Sequence, residues 1–313
     1  MHRYFVTDIF AARRPTFAVN TLLLIGIMLL YPLAGALLFS LLDGGGQGSA
    51  SFLHPDRSML PLIRLVQSVG QFLVLALPAM LLAAWHMGRK NPFSQESLAF
   101  LGIRRNLDFS AVALAVGGIF FLQPLLYTVT VLQDLYLWPS LGEAGAEVVR
   151  QRDTMETFIR ELSLVRTGSE FFAVAFVFAF TPAVCEELFF RGYIQQNYTR
   201  SMSSRRAVLL TGLVFAFFHL STANFLPLAL LGCYIGYIYG RTGNLVVPFF
   251  AHLVNNFGAL IFLLFSGGGA GASRPVQFVD TPWWWCVVAV SSFLFVKVIR
   301  WFSTASSLKV DIL

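Results

Sequence analysis

The chain has 313 residues, of which 57% are hydrophobic and 12% charged, with a net charge of +6 and a mean hydropathy of +0.70. Soluble domains carry about 25% charged residues, so this balance excludes an ordinary soluble globular domain and places the chain in a lipid bilayer. In a soluble protein the positive charge would suggest nucleic acid. Here the basic residues sit in short segments between apolar runs, with no basic cluster interleaved with aromatics, so nucleic acid is not an expected partner.

Apolar runs in chain order predict eight spans, at about 17–42, 65–86, 109–132, 170–194, 206–221, 224–240, 244–265 and 282–302. The first is too long for a signal-peptide core and reads as an uncleaved span. The fifth and sixth are short and nearly continuous, and read equally as a re-entrant pair. Basic residues concentrate in alternate segments: Arg3, Arg13 and Arg14; Arg89, Lys90, Arg104 and Arg105; Arg200, Arg205 and Arg206; Arg241; Lys297, Arg300 and Lys309. An all-α polytopic bundle of about eight transmembrane helices, with both termini cytoplasmic, puts every basic-rich segment inside.

The expected organisation is a cytoplasmic tail at 1–16, N-terminal membrane helices at 17–132, an external loop at 133–169 and a block of chemistry-bearing helices at 170–265. An external Gly-rich loop, a last helix and a cytoplasmic tail complete it at 266–313. The loop from Leu135 to Gly168 reads as polar and partly helical. Residues 91–105 read as a short interfacial helix with a basic end. The Gly-rich stretches 44–49 and 266–272 lack the Lys and following helix of a phosphate cradle and read as linkers. Cys185, Cys233 and Cys286 lie in apolar runs, where small apolar packing is the expected role.

The fourth span carries two adjacent carboxylates, Glu186 and Glu187. Each costs roughly 2.5–3.5 kcal/mol at the centre of a membrane helix. Arg191 follows Glu187 by four residues, on the same helix face. Glu186 points about 100° away. This spacing lets Arg191 neutralise Glu187 and leaves Glu186 free for proton transfer. Pro182, four residues before Glu186, is expected to kink the helix. His219 with Phe215, and His252 with Asn256, each stand one helical turn apart in later spans. Counted from the span ends, these groups lie at depths that allow one cavity opening toward the cytoplasm.

Such a set activates a water, with Glu186 taking its proton and His and Asn stabilising an oxyanion. Glu186, His219 and His252 equally suit a divalent metal such as zinc, since two His and one Glu with an open position form a catalytic zinc set. A lone membrane His is often a helix–helix hydrogen-bonding residue, and a lone Glu–Arg pair serves as a clamp or a transporter's coupling site. Other intramembrane chemistries lack material. There is no HExxH helix, no Asp deep in a span, and no Gly-x-Ser setting for Ser68, Ser291 or Ser292.

Glu186-Glu187-Leu-Phe-Phe-Arg191 resembles the EExxxR motif of the CAAX-processing and bacteriocin-processing (CPBP) intramembrane proteases. Phe215-Ala-Phe-Phe-His219 resembles their FxxxH motif, and His252-Leu-Val-Asn-Asn256 their HxxxN motif. The resemblance covers about 170–265 and implies an α-helical intramembrane endopeptidase. By motif, Glu186 activates water, His219 helps to hold it, and His252 and Asn256 favour the oxyanion. Glu187, Arg191 and Phe215 support them. The implied substrate is a peptide or membrane protein cleaved near the cytoplasmic side, and the implied location is a bacterial plasma (inner) membrane. A catalytically silent scaffold or bacteriocin-immunity protein of the same fold, or an ion-coupled transporter, are the alternatives.

Overall fold

A computed structural model describes residues 15–42, 57–265 and 278–310, with side chains as far as 304. The Gly-rich stretches 44–49 and 266–272, His2, His54 and most of the N-terminal tail lie outside the described residues. Ten helices and no strand occur among the described residues. They are α1 (Phe17–Leu42), α2 (Arg57–His86), α3 (Gln95–Phe100), α4 (Phe109–Ser140) and α5 (Glu143–Leu162). They continue with α6 (Gly168–Tyr198), α7 (Ser204–Phe218), α8 (Phe225–Thr242), α9 (Val246–Phe265) and α10 (Pro282–Val310).

Several ends are written locally in the sequence. Asp108 caps α4, its Oδ1 accepting from the amides of Ser110 and Ala111 at 3.1 Å each. Thr167 caps α6 by accepting from Glu170 N at 3.2 Å. Gly243 ends α8 in the left-handed region (φ 58°), its N–H donating to Tyr239 O at 2.8 Å. The next helix then starts within three residues, with Asn244 Oδ1 accepting from Val246 N at 3.1 Å.

Among the described residues, α1, α2, α4, α6, α9 and α10 are long and apolar enough to cross a membrane. The other two expected spans are α7 and α8. With 15 residues, α7 reaches only about 22 Å at 1.5 Å per residue, short of a hydrocarbon core of about 30 Å. The 18 residues of α8 reach about 27 Å. The two form a tight antiparallel hairpin, and small residues set its closeness. A Cβ on Gly212 would lie 2.5 Å from Cys233 Sγ, and one on Gly232 would lie 3.0 Å from Gly212 O.

The lipid-facing surface is apolar. In α1, Leu22, Leu29, Leu33, Leu37 and Leu41 are all more than half exposed. In water such a row would be an aggregation patch; in a bilayer it is solvated. The buried side of α1 holds Leu24 and Ile27, which join Leu75, Phe189, Phe190 and Ile194 in the main core.

Three π-helical turns precede prolines in one register. Phe72–Ala76 comes before Pro78, Gln133–Leu137 before Pro139, and Phe176–Phe180 before Pro182. Proline lacks an N–H and its ring clashes with the carbonyl four residues back. A widened turn absorbs that clash without a sharp break. Pro32 and Pro124 lie in α-helical runs without such a turn. A fourth π segment, Glu187–Gln195, has no proline behind it and covers the acidic motif itself.

Polar contacts tie one end of the bundle together. Asn20 Nδ2 donates to Ile194 O at 3.2 Å, Thr21 and Tyr198 hydroxyls lie 2.9 Å apart, and Gln195 Nε2 donates to Gly236 O at 2.8 Å. His86 Nε2 is 3.0 Å from Tyr193 Oη, and its ring stacks on Phe100. The segment expected as an interfacial helix is therefore partly a plug: Ser97, Phe100 and Leu101 are almost wholly buried. Leu245 N donates to Gly102 O at 2.8 Å, so that plug also fixes the start of α9. The basic segments around Arg89, Arg104, Arg200, Arg205 and Arg241 cluster at this end.

The segment 133–169, expected as a polar and partly helical loop, is largely helix: α4 continues to Ser140, and α5 begins after two residues. Arg152, 7% exposed, pairs with Asp134 at 2.5 Å. Arg64 of α2 donates to Leu162 O (2.9 Å) and Leu164 O (2.8 Å), pinning the far end of α5.

Candidate active site

The EExxxR segment lies in the centre of α6, wholly inside the bundle. Glu187 and Arg191 are 0% exposed, His252 2% and Glu186 6%. Arg191 Nη1 donates to Glu187 Oε1 at 2.8 Å, and Nη2 donates to Gly232 O at 3.1 Å. The guanidinium also lies 4.5 Å from the Phe215 ring centroid. This is a charge held by a carboxylate, a carbonyl and an aromatic face, which is how a buried arginine becomes tolerable.

The same Glu187 Oε1 lies 2.7 Å from His252 Nδ1. A carboxylate only accepts, so Nδ1 is the donor and His252's tautomer is set. The opposite nitrogen, Nε2, is then 3.8 Å from Glu186 Oε2. That gap exceeds hydrogen-bond length, so the two groups face each other without bonding. Glu186 Oε2 has no hydrogen-bond partner within the described protein, nor do Glu187 Oε2 and Arg191 Nε. One acid is thus occupied twice, and its neighbour has a free oxygen aimed at an oriented imidazole.

Phe215 organises the two histidines. Its ring centroid is 5.7 Å from that of His252 and 4.6 Å from that of His219. The ring is buried, being 1% exposed. His219 itself is exposed, at the C-terminal cap of α7, with Nδ1 donating to Phe215 O at 2.8 Å. That bond leaves Nε2 as the available acceptor when the ring is neutral. Asn256 is half-buried one turn beyond His252, and its Oδ1 accepts from Asn255 Nδ2 at 3.3 Å. Gln123 of α4 reaches Asn255 Oδ1 at 3.0 Å, tying this turn to a neighbouring helix.

Burial divides the histidines. His86, at a span edge, is buried (3% exposed), and His219, at the C-terminal cap of α7 about 22 Å from that helix's start, is exposed. A further polar residue near Glu186 carried no motif: Tyr31 of α1 lies within electrostatic reach of Glu186 and is hydrogen-bonded to the Gln71 side chain of α2. Its sequence signal is that of a polar residue inside an apolar run.

Glu186, His219 and His252 were candidate metal ligands. Among the described residues, no group of three or more His, Cys, Asp or Glu side chains is placed to hold a metal ion. His252 gives Nδ1–H to Glu187 and leaves Nε2 facing Glu186 Oε2 at 3.8 Å, while His219 stands at the C-terminal cap of α7 with Nδ1 on Phe215 O.

No curated protein and no solved structure matches the chain. Residues 168–258 match the protein family described as type II CAAX prenyl endopeptidase Rce1-like. The match begins at the first residue of α6 and extends just past Asn256 on α9, so it takes in every motif residue described above. The match to this protease family thus covers the helices that build the buried site and agrees with the resemblance of their motifs.

Proposed function

We propose that this protein is an intramembrane endopeptidase in which Glu186 acts as general base on a water. The observation that carries the reading is the division of labour between adjacent acids. Glu187 Oε1 is committed to Arg191 and His252, while Glu186 Oε2 is unpartnered and 3.8 Å from His252 Nε2. A gap of that size between two polar groups suits a bridging water.

In the proposed reaction Glu186 removes a proton from the water as its oxygen adds to the scissile carbonyl carbon. His219 Nε2 helps to hold that water. The tetrahedral oxyanion is stabilised by hydrogen donation from His252 Nε2, in its protonated form, and from the Asn256 amide. Glu186 then passes its proton to the departing amine as the C–N bond breaks. A free carboxyl end and a free amine end leave, and Glu186 is ionised again. Glu187 and Arg191 hold His252 and the helix in register. The partners in this reading are a peptide or membrane-protein substrate and the bilayer of a bacterial inner membrane, with the basic end cytoplasmic.

The test is a comparison of peptides and new protein N-termini in cells carrying the native chain or Glu186→Gln. General base catalysis contributes about 10²–10⁴-fold. Native-dependent products should therefore vanish with Glu186→Gln while the variant still accumulates in the membrane. Unchanged products would refute the reading and favour a silent scaffold of the same fold.

A further inference from the structure

Two helices that carry no motif residue meet the stretch of α6 that ends at Glu186. Thr181–Glu186 packs on Leu60–Gln71 and on the wide turn Phe72–Ala76 of α2, and α1 packs on the same two stretches. Tyr31 lies near the middle of the 26-residue helix α1. At that depth a hydroxyl finds no water on the lipid side and has to be satisfied inside the bundle. Tyr31 is hydrogen-bonded to Gln71, and Glu186 and Cys185 lie within its electrostatic reach. Its ring is fixed separately. The centroid is 5.1 Å from that of Phe218, which is 5.3 Å from Phe190, which is 5.5 Å from Phe215. Phe215 touches both histidine rings, so a run of aromatic contacts ties Tyr31 to the far side of the site.

The bond between Tyr31 and Gln71 has a direction. Gln71 is 5% exposed and its Oε1 makes no hydrogen bond within the described protein, so the amide meets Tyr31 through Nε2. An amide nitrogen only donates; the phenol oxygen therefore accepts, and the O–H hydrogen is not spent on Gln71. Glu186 has the matching need. Its Oε2 is buried and without a hydrogen bond, and it stands 3.8 Å from His252 Nε2. The final torsion of a glutamate is broad, so a carboxylate held by nothing on that side swings away from the geometry a reaction requires. Glu187 and Arg191 cannot hold it, being bonded to one another, to His252 and to Gly232 O.

We propose that Tyr31 is a further positioning residue of the site. Through a water, its hydroxyl donates toward Oε2 of Glu186 and keeps that carboxylate turned to His252 Nε2, while Gln71 sets the direction of the hydroxyl. The inference rests on the endopeptidase reading and extends its site to a helix outside the family match at 168–258.

Two measurements on the full-length protein in detergent test it. The first is turnover of a synthetic peptide spanning a bond that cells cut only when Glu186 is native. Tyr31→Phe keeps the ring on Phe218 and removes the hydroxyl alone. Its kcat should fall about tenfold, the size of one hydrogen bond to a charged group, with KM and unfolding temperature unchanged. Gln71→Met should lower kcat about threefold. Added to Tyr31→Phe it should cost nothing more, because Gln71 acts through that hydroxyl. A native kcat in either single variant, or losses that multiply in the double variant, overturns the role and leaves the pair as a fastening between α1 and α2. The Gln71→Met result decides alone should Tyr31→Phe fail to accumulate. The second measurement is fluorine NMR of protein labelled with 3-fluorotyrosine. The Tyr31 signal, identified as the one missing from Tyr31→Phe, should shift in Glu186→Gln; a signal that stays in place overturns the role with the endopeptidase reading intact. If no peptide is cut in a Glu186-dependent way, the endopeptidase reading itself falls and takes this role with it.

Discussion

Arg191 and Glu187 are fully buried, and each is the other's main compensation. Breaking a buried pair by removing one partner costs about 3–5 kcal/mol, because a bare charge is left behind. Arg191→Ala should therefore destabilise the bundle by roughly that amount, read from thermal or denaturant unfolding in detergent. Arg191→Lys keeps the charge but loses the second nitrogen that reaches Gly232 O and the flat stacking on Phe215. It should unfold between native and Arg191→Ala. Glu186→Gln carries a different expectation at the same scale. It replaces a carboxylate whose Oε2 makes no hydrogen bond within the described protein, so stability should change little while product formation collapses. That contrast between neighbouring acids separates a supporting residue from a reacting one.

At the scale of elements, the α7–α8 hairpin decides where His219 stands. Its helices touch through Gly212 and Gly232, which leave no room for a side chain. Gly212→Val should push α7 from α8, costing about 1–3 kcal/mol as overpacking, and should move Phe215 and His219 together. The expected readout is a lower unfolding temperature with product formation reduced more than stability alone explains. The π segments act on the same scale. An extra residue in a turn rotates the rest of the helix by about 100°, so the turn at Phe176–Phe180 helps to set which way Glu186 faces. The π segment at Glu187–Gln195 has no proline cause and coincides with the buried ion pair and the Gln195–Gly236 bond.

The whole molecule has two unlike ends. One is closed by side-chain bonds among α1, α2, α6 and α8; the other carries α5 over a recess. Arg64 is the fastening between α5 and α2. Arg64→Ala leaves two carbonyls without their charged donor, each such bond being worth about 1.5–3 kcal/mol. Hydrogen exchange should speed up across 143–162 while the core around Phe189, Phe190 and Ile194 stays protected. Equal loss of protection throughout would show that α5 is integral to the bundle and not a separately fastened cover.

The membrane class, the helical spans and the acid–arginine spacing were readable from the chain alone, because hydropathy and a 3.6-residue period are local properties. The first span matches its helix end to end, and the motif residues on α6 and α9 lie close together as their spacing allowed. Local pattern does not register which oxygen of Glu187 accepts from His252, that α7 falls short, or that Tyr31 of α1 comes within electrostatic reach of Glu186. Those depend on how rods cross, which is set by glycine contacts, proline-induced wide turns and buried hydrogen bonds between residues far apart in sequence. Depth counted along a helix places a residue along its axis; only packing determines its neighbours, and so which imidazole is enclosed, as at His252, and which is exposed, as at His219.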